Sequence, residues 1–312
     1  MIENNMAILI LLNQVDPTLL EQHLKSHPDC PEVRIYPDVG DPANIDCVIV
    51  WKHDEGILND FPNLKLIASY GAGVENILSD PALPAGVPIT RFVDDTLANQ
   101  MAEFVLGAIL NHRLHLTHYR ELQAAGVWRP TEFLKGRNVT ILGMGELGAT
   151  AAKLLHNNGY KVSGWSRSEK NINGIKSYVG NDQLITSLKD ADIIVCLLPL
   201  TQETKHILNA KLFDGAKKGS YLINVGRGDH LNEDDLIDAL YREQISGALL
   251  DVFQEEPLDQ DHPFWRHPKI HITPHISSPT DKEKVARQIL DNFNRMRKGE
   301  TLLNQVDPKR SY

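Results

Sequence analysis

An α/β protein built on parallel sheets is what this sequence predicts, from three observations. The stretch VTILGMGELGATAAKLL, Val139 to Leu155, runs from a short apolar strand through closely spaced glycines into a helix. After it, apolar runs of strand length alternate with helical segments. Before it, a similar alternation starts at Ala7. Strand–helix alternation is the pattern of a mostly parallel sheet covered by helices. A chain of 312 residues exceeds what one core usually holds, so two such domains are expected.

The glycine stretch is the most specific of the three. Gly143, Gly145 and Gly148 stand in G-x-G-x-x-G spacing. In that arrangement the first glycine permits a tight turn and the second lets the backbone approach a pyrophosphate. The third lets helix and strand pack closely, and the free N–H groups of the helix start face the phosphate charge. The spacing alone is weak, since plain glycine turns share it. Here a strand precedes and a helix follows, as dinucleotide binding requires. Gly143, Gly145, Glu146, Leu147 and Gly148 are therefore candidate cofactor contacts, in a doubly wound sheet of the Rossmann type.

Composition narrows the remaining classes. The hydrophobic share of 42% and charged share of 23% are ordinary for a globular protein. A net charge of −9 argues against a nucleic-acid or anionic-membrane partner. The three cysteines, Cys30, Cys47 and Cys196, are too scattered for a disulfide framework or a C-x-x-C metal site. The apolar run Ala7 to Leu12 is too short to cross a membrane and lacks a basic leader, so it reads as a core strand. A reducing, cytoplasmic setting is expected.

In order along the chain, Ala7–Leu12 is a strand and Thr18–Ser26 a helix. Val33–Tyr36, Cys47–Trp51 and Leu64–Ser69 are further strands. The loop Tyr70-Gly71-Ala72-Gly73-Val74 follows, where glycines allow backbone N–H groups close to an anion, or make a plain turn. Pro88-Ile89-Thr90 reads as an edge strand. One long helix is expected from Leu97 to Gln123, with Met101, Val105 and Ile109 on one face. His112, His115 and His118 step by three along it, but no carboxylate or cysteine cluster accompanies them, so no metal is expected.

Beyond the glycine turn, strands are expected at Lys161–Trp165, Ile193–Leu198, Tyr221–Asn224, Ala248–Val252 and Ile270–Thr273. Helices are expected at Asp234–Tyr241 and Thr280–Met296. Ligands of open α/β sheets bind beyond the carboxyl ends of the strands. The residues found there are Ser166, Arg167 and Ser168, then Leu198 and Pro199, then Val225, Gly226 and Arg227. Asp251 follows, with Glu255 and Glu256, and His275 comes last. A guanidinium, a carboxylate and an imidazole thus converge beside the expected dinucleotide. Reduction of a 2-oxo acid needs that set. Arg227 can hold carboxylate and keto oxygen through paired charge-assisted bonds. His275 can donate a proton to the keto oxygen, with Glu256 as its acid partner. Each has a simpler reading as well: a phosphate contact, a turn residue, a strand-end histidine.

The chain resembles the D-2-hydroxyacid dehydrogenases, and most of all their glyoxylate/hydroxypyruvate reductase A branch. The matching stretches are GAGVENI at Gly71, MAEF at Met101, ILGMGELG at Ile141, LLPLTQET at Leu197, INVGRGDHLNEDDLIDAL at Ile223, GALLDVFQEEPL at Gly247, ITPHISS at Ile272 and QVDPKRSY at Gln305. The resemblance implies Arg227 as substrate anchor, Glu256 as the partner of the histidine and His275 as proton donor. It implies that Asp251 contacts the nicotinamide end, that backbone at Ala72, Gly73 and Val74 binds the substrate carboxylate, and that Trp51 lies near the pocket. It implies a flavodoxin-like substrate domain of residues 1–95 with 286–312 and a dinucleotide domain of 96–285. A homodimer joined through the long helix region is implied too, with Trp128 near the partner's site.

Members that prefer NAD carry an acid at the end of the second strand, where it binds the ribose 2′-hydroxyl. Here Ser166, Arg167 and Ser168 stand there. A hydroxyl and a guanidinium suit a 2′-phosphate, so NADPH is expected over NADH. Glu75 departs from the family's usual Asp, with little effect expected. Two other functions fit the same fold: a dinucleotide-sensing, co-repressor-like binding protein, and a formate- or phosphite-oxidising enzyme. The joint presence of Arg227, Glu256 and His275 favours the reductase.

Overall fold

The computed structural model describes residues 6–13 and 15–307, and the last five residues of the QVDPKRSY stretch lie outside them. The chain divides into two compact units, Met1–Asp94 with Thr280–Tyr312, and Asp95–Pro279. The sequence reading draws the return to the first unit at 286.

The first unit contains β1 (Ala7–Leu11), α1 (Thr18–Lys25), β2 (Glu32–Ile35), β3 (Ile45–Val50), β4 (Leu66–Ser69), α2 (Glu75–Leu78) and β5 (Ile89–Thr90). The strands pair in parallel in the order β2-β1-β3-β4-β5, which is the flavodoxin-like order. Every residue of β1 and β3 is buried, as expected of strands covered on both faces. That is why AILIL reads as an unbroken apolar run. The two residues Ile89 and Thr90 take the edge, as Pro88 before them predicts.

The second unit opens with α3 (Asp95–Arg113) and α4 (Leu116–Ala124). One continuous helix is the sequence expectation, and the structure corrects it. His115 turns to the left-handed region, φ +56°, and starts a new helix. The apolar periodicity runs on across the break, so pattern alone conceals it. The three histidines consequently do not share a face. His112 stacks on Tyr221 with ring centroids 3.7 Å apart. His115 Nε2 lies 3.1 Å from the Glu132 carbonyl, and His118 faces Glu121.

Burial first, then the charges of His115, His271 and Arg113, push the His112 imidazole down to about 4 from an ordinary 6.5. Between those values the unfolded chain binds the proton and the folded chain does not, so stability falls as pH drops from 6.5 towards 4. The slope belonging to this one group is about 1 kcal/mol per pH unit. His112→Phe, which keeps the stack on Tyr221, should flatten the pH dependence of the urea midpoint over that window. Parallel curves for the two proteins would assign the acid sensitivity elsewhere.

The rest of this unit is β6 (Asn138–Leu142), α5 (Glu146–Asn157), β7 (Lys161–Ser166), β8 (Lys176–Val179), α6 (Gly180–Leu188), β9 (Ile193–Cys196), α7 (Ala210–Gly215), β10 (Ser220–Asn224), α8 (Glu233–Tyr241), β11 (Ile245–Leu250) and β12 (Ile270–Ile272). The parallel order is β12-β11-β10-β9-β6-β7-β8. Chain direction across the sheet reverses between β6 and β9, the Rossmann switch point beside which dinucleotides bind. One face packs Val105 and Ile109 of α3 and Ala151 and Leu155 of α5 on the sheet. The other packs Phe213, Leu236 and Phe264. β8 escapes sequence reading because KSYV is a half-exposed edge with no apolar run.

The chain then returns to the first unit as α9 (Lys282–Lys298). The Asp281 side chain caps its start by accepting from the Glu283 and Lys284 N–H groups, and Gly299 at φ +68° ends it. Its buried face, Val285, Ala286, Ile289, Leu290 and Phe293, packs on α1 and β4. No helix among the described residues is long and apolar enough to cross a membrane.

Candidate active site

At the switch point, Gly143 has φ +102°, and a Cβ there would come within 2.5 Å of the Leu197 carbonyl oxygen. A Cβ on Gly148 would overlap the Gly143 carbonyl oxygen. One glycine therefore serves the turn and the other the close approach of α5 to β6. A Cβ on Gly145 would meet nothing within 4 Å. Gly145 caps α5 without a side-chain bond, so the N–H groups of the first turn, Glu146 and Leu147, open onto the same space. This is the cradle a pyrophosphate needs.

At the end of β7, Ser166 is buried and Arg167 and Ser168 are exposed. The Ser166 hydroxyl donates to the Ser168 carbonyl at 2.7 Å. The Thr201 hydroxyl first, then the residue's own backbone N–H and the charge of Arg167, hold the Glu203 carboxyl below its ordinary value. Among the described residues no acid replaces Ser166 at the strand end.

The arginine-bearing loop follows β10. Asn224, Val225, Gly226 and Gly228 are buried, with Arg227 between them partly exposed. Asn224 is fully buried and holds the loop at two points. Its Nδ2 donates to the Arg227 carbonyl at 3.1 Å, and its Oδ1 accepts from the Gly226 N–H at 3.3 Å. Both glycines are required by packing. A Cβ on Gly226 would come within 2.9 Å of His230 Nδ1, and one on Gly228 would overlap the Phe253 carbonyl.

That second contact links the arginine loop to the acid and the histidine. The Phe253 N–H donates to Glu256 Oε1 at 3.0 Å, and Glu256 Oε2 lies 2.9 Å from His275 Nδ1. His275 itself sits at φ +53°. Its loop is fixed by Asp251, a fully buried carboxylate at the end of β11. Asp251 Oδ1 accepts from Thr273 Oγ1 at 2.6 Å and from the Ile276 N–H at 2.9 Å. Its Oδ2 accepts from the Ser277 N–H at 2.9 Å. With Nδ1 given to Glu256, Nε2 is the ring nitrogen that has no hydrogen-bond partner among the described residues. Leu198 and Pro199, after β9, lie beside the arginine loop: His230 Nε2 is 3.2 Å from the Pro199 carbonyl.

In the first unit, the loop after β4 also has a local logic. The Ser69 hydroxyl donates to the Gly73 carbonyl at 2.8 Å and accepts from the Gly71 N–H at 3.3 Å, pinning the loop. The Trp51 ring lies against Gly71, where a Cβ would overlap it, and meets Tyr70 edge-on at 6.4 Å between centroids. Among the described residues, the N–H groups of Ala72, Gly73 and Val74 donate no hydrogen bond.

Comparison with known proteins agrees with this geometry. Residues 106–277 match the family model of the D-isomer specific 2-hydroxyacid dehydrogenase NAD-binding domain, more than half of the chain. The chain belongs to the D-2-hydroxyacid dehydrogenases. It is 41% identical to a glyoxylate/hydroxypyruvate reductase A of Serratia proteamaculans over 275 residues, 86% of this chain and 88% of that one. An NADPH-dependent glyoxylate/hydroxypyruvate reductase from Sinorhizobium meliloti, solved with NADP and sulfate, superposes with a TM-score of 0.89. The two are 34% identical over 98% of this chain and 100% of that one. A D-isomer specific 2-hydroxyacid dehydrogenase from Xanthobacter autotrophicus, solved with NADPH and MES, gives 0.88 and 36% over 99% and 100%. The protein is thus an oxidoreductase with a nicotinamide-dinucleotide domain.

In this dehydrogenase three site-building residues escape a reading of the sequence alone: Asn224, His230 and Thr273. Each lies in a stretch already singled out, but its work is to hold a loop, which residue type alone does not announce. Only His230, three residues past Arg227, offers a spacing cue.

Proposed function

We propose that this dehydrogenase reduces small 2-oxo acids, glyoxylate or hydroxypyruvate foremost, with NADPH. The observation that supports it best is the His275–Glu256 pair, Nδ1 to Oε2 at 2.9 Å, tied through the Phe253 backbone to the Arg227 loop. The cofactor, when bound, supplies the hydride. The glycine cradle Gly143–Gly148 would hold its pyrophosphate, Leu198, Pro199, Val225 and Gly226 would flank it, and Asp251 would sit at its nicotinamide end. Arg227 holds the carboxylate and keto oxygen of the substrate through its guanidinium fork. His275 gives the Nε2 proton to the keto oxygen as the hydroxyl forms, while Glu256 fixes Nδ1 and stabilises the charged ring. The Ala72, Gly73 and Val74 N–H groups are assigned the substrate carboxylate, and Trp51 the pocket wall beside them.

The test is a panel of 2-oxo acids with NADPH, read as loss of the reduced-cofactor absorbance. Turnover of glyoxylate or hydroxypyruvate is the expected result. Cofactor binding without turnover of any acid would point to a sensing role instead, and oxidation of formate or phosphite to the other enzyme class.

The NADPH preference rests on Ser166, Arg167 and Ser168. The Ser166 hydroxyl need only turn from the Ser168 carbonyl to meet a 2′-phosphate, and Arg167 adds a charged donor. Ser166→Asp with Arg167→Ala should lower kcat/KM for NADPH by about 100-fold, since charge-assisted bonds are worth about 1.5–3 kcal/mol each. NADH should lose little. Equal losses with both cofactors would remove the assignment.

The same reading includes a homodimer in the cytoplasm. Trp128 is 99% exposed and Phe133 60%, two aromatics on the mixed polar and apolar segment after α4, which suits burial against a second copy. Free thiols at Cys30, Cys47 and Cys196 suit a reducing compartment. Light scattering and cell fractionation check the two points, with a monomeric mass or a periplasmic location counting against them.

A further inference from the structure

His230 lies in the INVGRGDH stretch with no role assigned to it, and it is fully buried where two strand-end loops meet. Its Nδ1 lies 3.0 Å from the Arg227 N–H and its Nε2 3.2 Å from the Pro199 carbonyl. The partners fix the proton. An amide N–H donates to Nδ1, so Nδ1 is the acceptor. A carbonyl can only accept, so Nε2 carries the hydrogen. One neutral imidazole therefore ties the arginine loop after β10 to the loop after β9. A further neighbour is Cys196, whose Sγ lies 3.7 Å from Nδ1 and whose thiol burial pushes up to about 12. That thiol stays uncharged and leaves the imidazole as the polar tie. Gly226 has no room for a side chain because this ring is there.

We propose that His230 is a positioning residue that sets the substrate-anchoring arginine and the cofactor-flanking Leu198–Pro199 backbone relative to each other. The inference rests on the reading above that Arg227 anchors the 2-oxo acid. A buried imidazole with one accepting and one donating nitrogen can be divided between two amides. In His230→Asn the side-chain oxygen falls near the place of Nδ1 and keeps the acceptor for Arg227, while the link to Pro199 is lost. In His230→Gln the amide nitrogen falls near the place of Nε2 and keeps the donor to Pro199, while the acceptor for Arg227 is lost.

The two variants should separate two constants. His230→Gln should raise KM for glyoxylate about tenfold with the Kd for NADPH, read by fluorescence titration, within about twofold of the parent; this is roughly the loss of one hydrogen bond. His230→Asn should show the reverse, a weaker Kd with KM nearly kept. Equal changes of both constants in both variants, alongside a lowered Tm, would mark a purely structural ring and overturn the proposal. Parental constants in both variants would overturn it as well. Arg227→Ala measured in parallel keeps the two questions apart. If Arg227→Ala loses activity and the His230 variants do not, the positioning role alone fails. If Arg227→Ala behaves as the parent, the substrate anchor itself is misassigned and the proposal falls with it.

Discussion

His275→Asn should lower kcat for 2-oxo acid reduction by about 10²–10⁴-fold, the range that positioned general acids supply, with NADPH binding unchanged. The substitution is chosen for its geometry. The asparagine amide can still reach Glu256 from near the place of Nδ1, so the 2.9 Å contact that orients the ring has a substitute. What disappears is Nε2 and the proton it offers. His275→Ala removes both, so the difference between the two variants isolates the worth of the Glu256 contact. Asp251 holds the loop through three hydrogen bonds made to Thr273, Ile276 and Ser277 and not to the imidazole. The loop should therefore survive either change, and a preserved Tm with a preserved Kd for NADPH would document it. Parental turnover in His275→Asn would remove the proton-donor role outright. Glu256→Gln keeps an oxygen for only one of the two partners: with it on the Phe253 N–H, the amide NH2 faces His275 Nδ1 and no acceptor is left for the charged ring, so kcat should fall while the Phe253 tie is kept.

Much of this site was legible in the sequence where its cause is local. The β6–α5 turn is read correctly because much of its requirement for glycine is local: Gly143 takes a positive φ and Gly148 must clear the Gly143 carbonyl, though Leu197 adds a distant constraint at Gly143. The strands β1 and β3 are legible because burial on both faces writes one continuous apolar run. The break at His115 is not, because its neighbours keep the helical period and only the backbone turns. β8 is not, because an edge strand needs no apolar face. The chemistry divides along the same line. Strand-end position is enough to nominate Arg227 and His275. Why they belong together depends on Gly228 fitting against the Phe253 carbonyl, a contact between residues far apart in order. Asp251 shows the mixed case: its place is legible, but its three loop-fixing bonds come from residues 22 to 26 positions later.

Arg227→Ala should reduce kcat/KM by about 10³-fold. Two charge-assisted bonds to a carboxylate and a keto oxygen, at about 1.5–3 kcal/mol each, bracket a loss of roughly 4 kcal/mol, and each 1.4 kcal/mol is a factor of ten. The loss should fall on both constants, since the carboxylate is held in the ground state and the keto oxygen gathers charge only as the hydroxyl forms. Arg227→Lys separates charge from shape. A lysine keeps the cation but replaces the planar fork with a point charge, so it should recover binding more than kcat. The fold should tolerate both changes. The backbone here has supports that do not depend on the guanidinium: the loop is held by Asn224 at the Arg227 carbonyl and Gly226 N–H, by His230 at the Arg227 N–H, and by the fit of Gly228 on Phe253. Arg227 Nη1 donates to the neighbouring Gly226 carbonyl at 2.8 Å, a contact within the loop itself. A lowered Tm in Arg227→Ala that tracked the loss of activity would therefore contradict this account, because it would make the arginine a structural support and leave the 2-oxo acid without its cationic anchor.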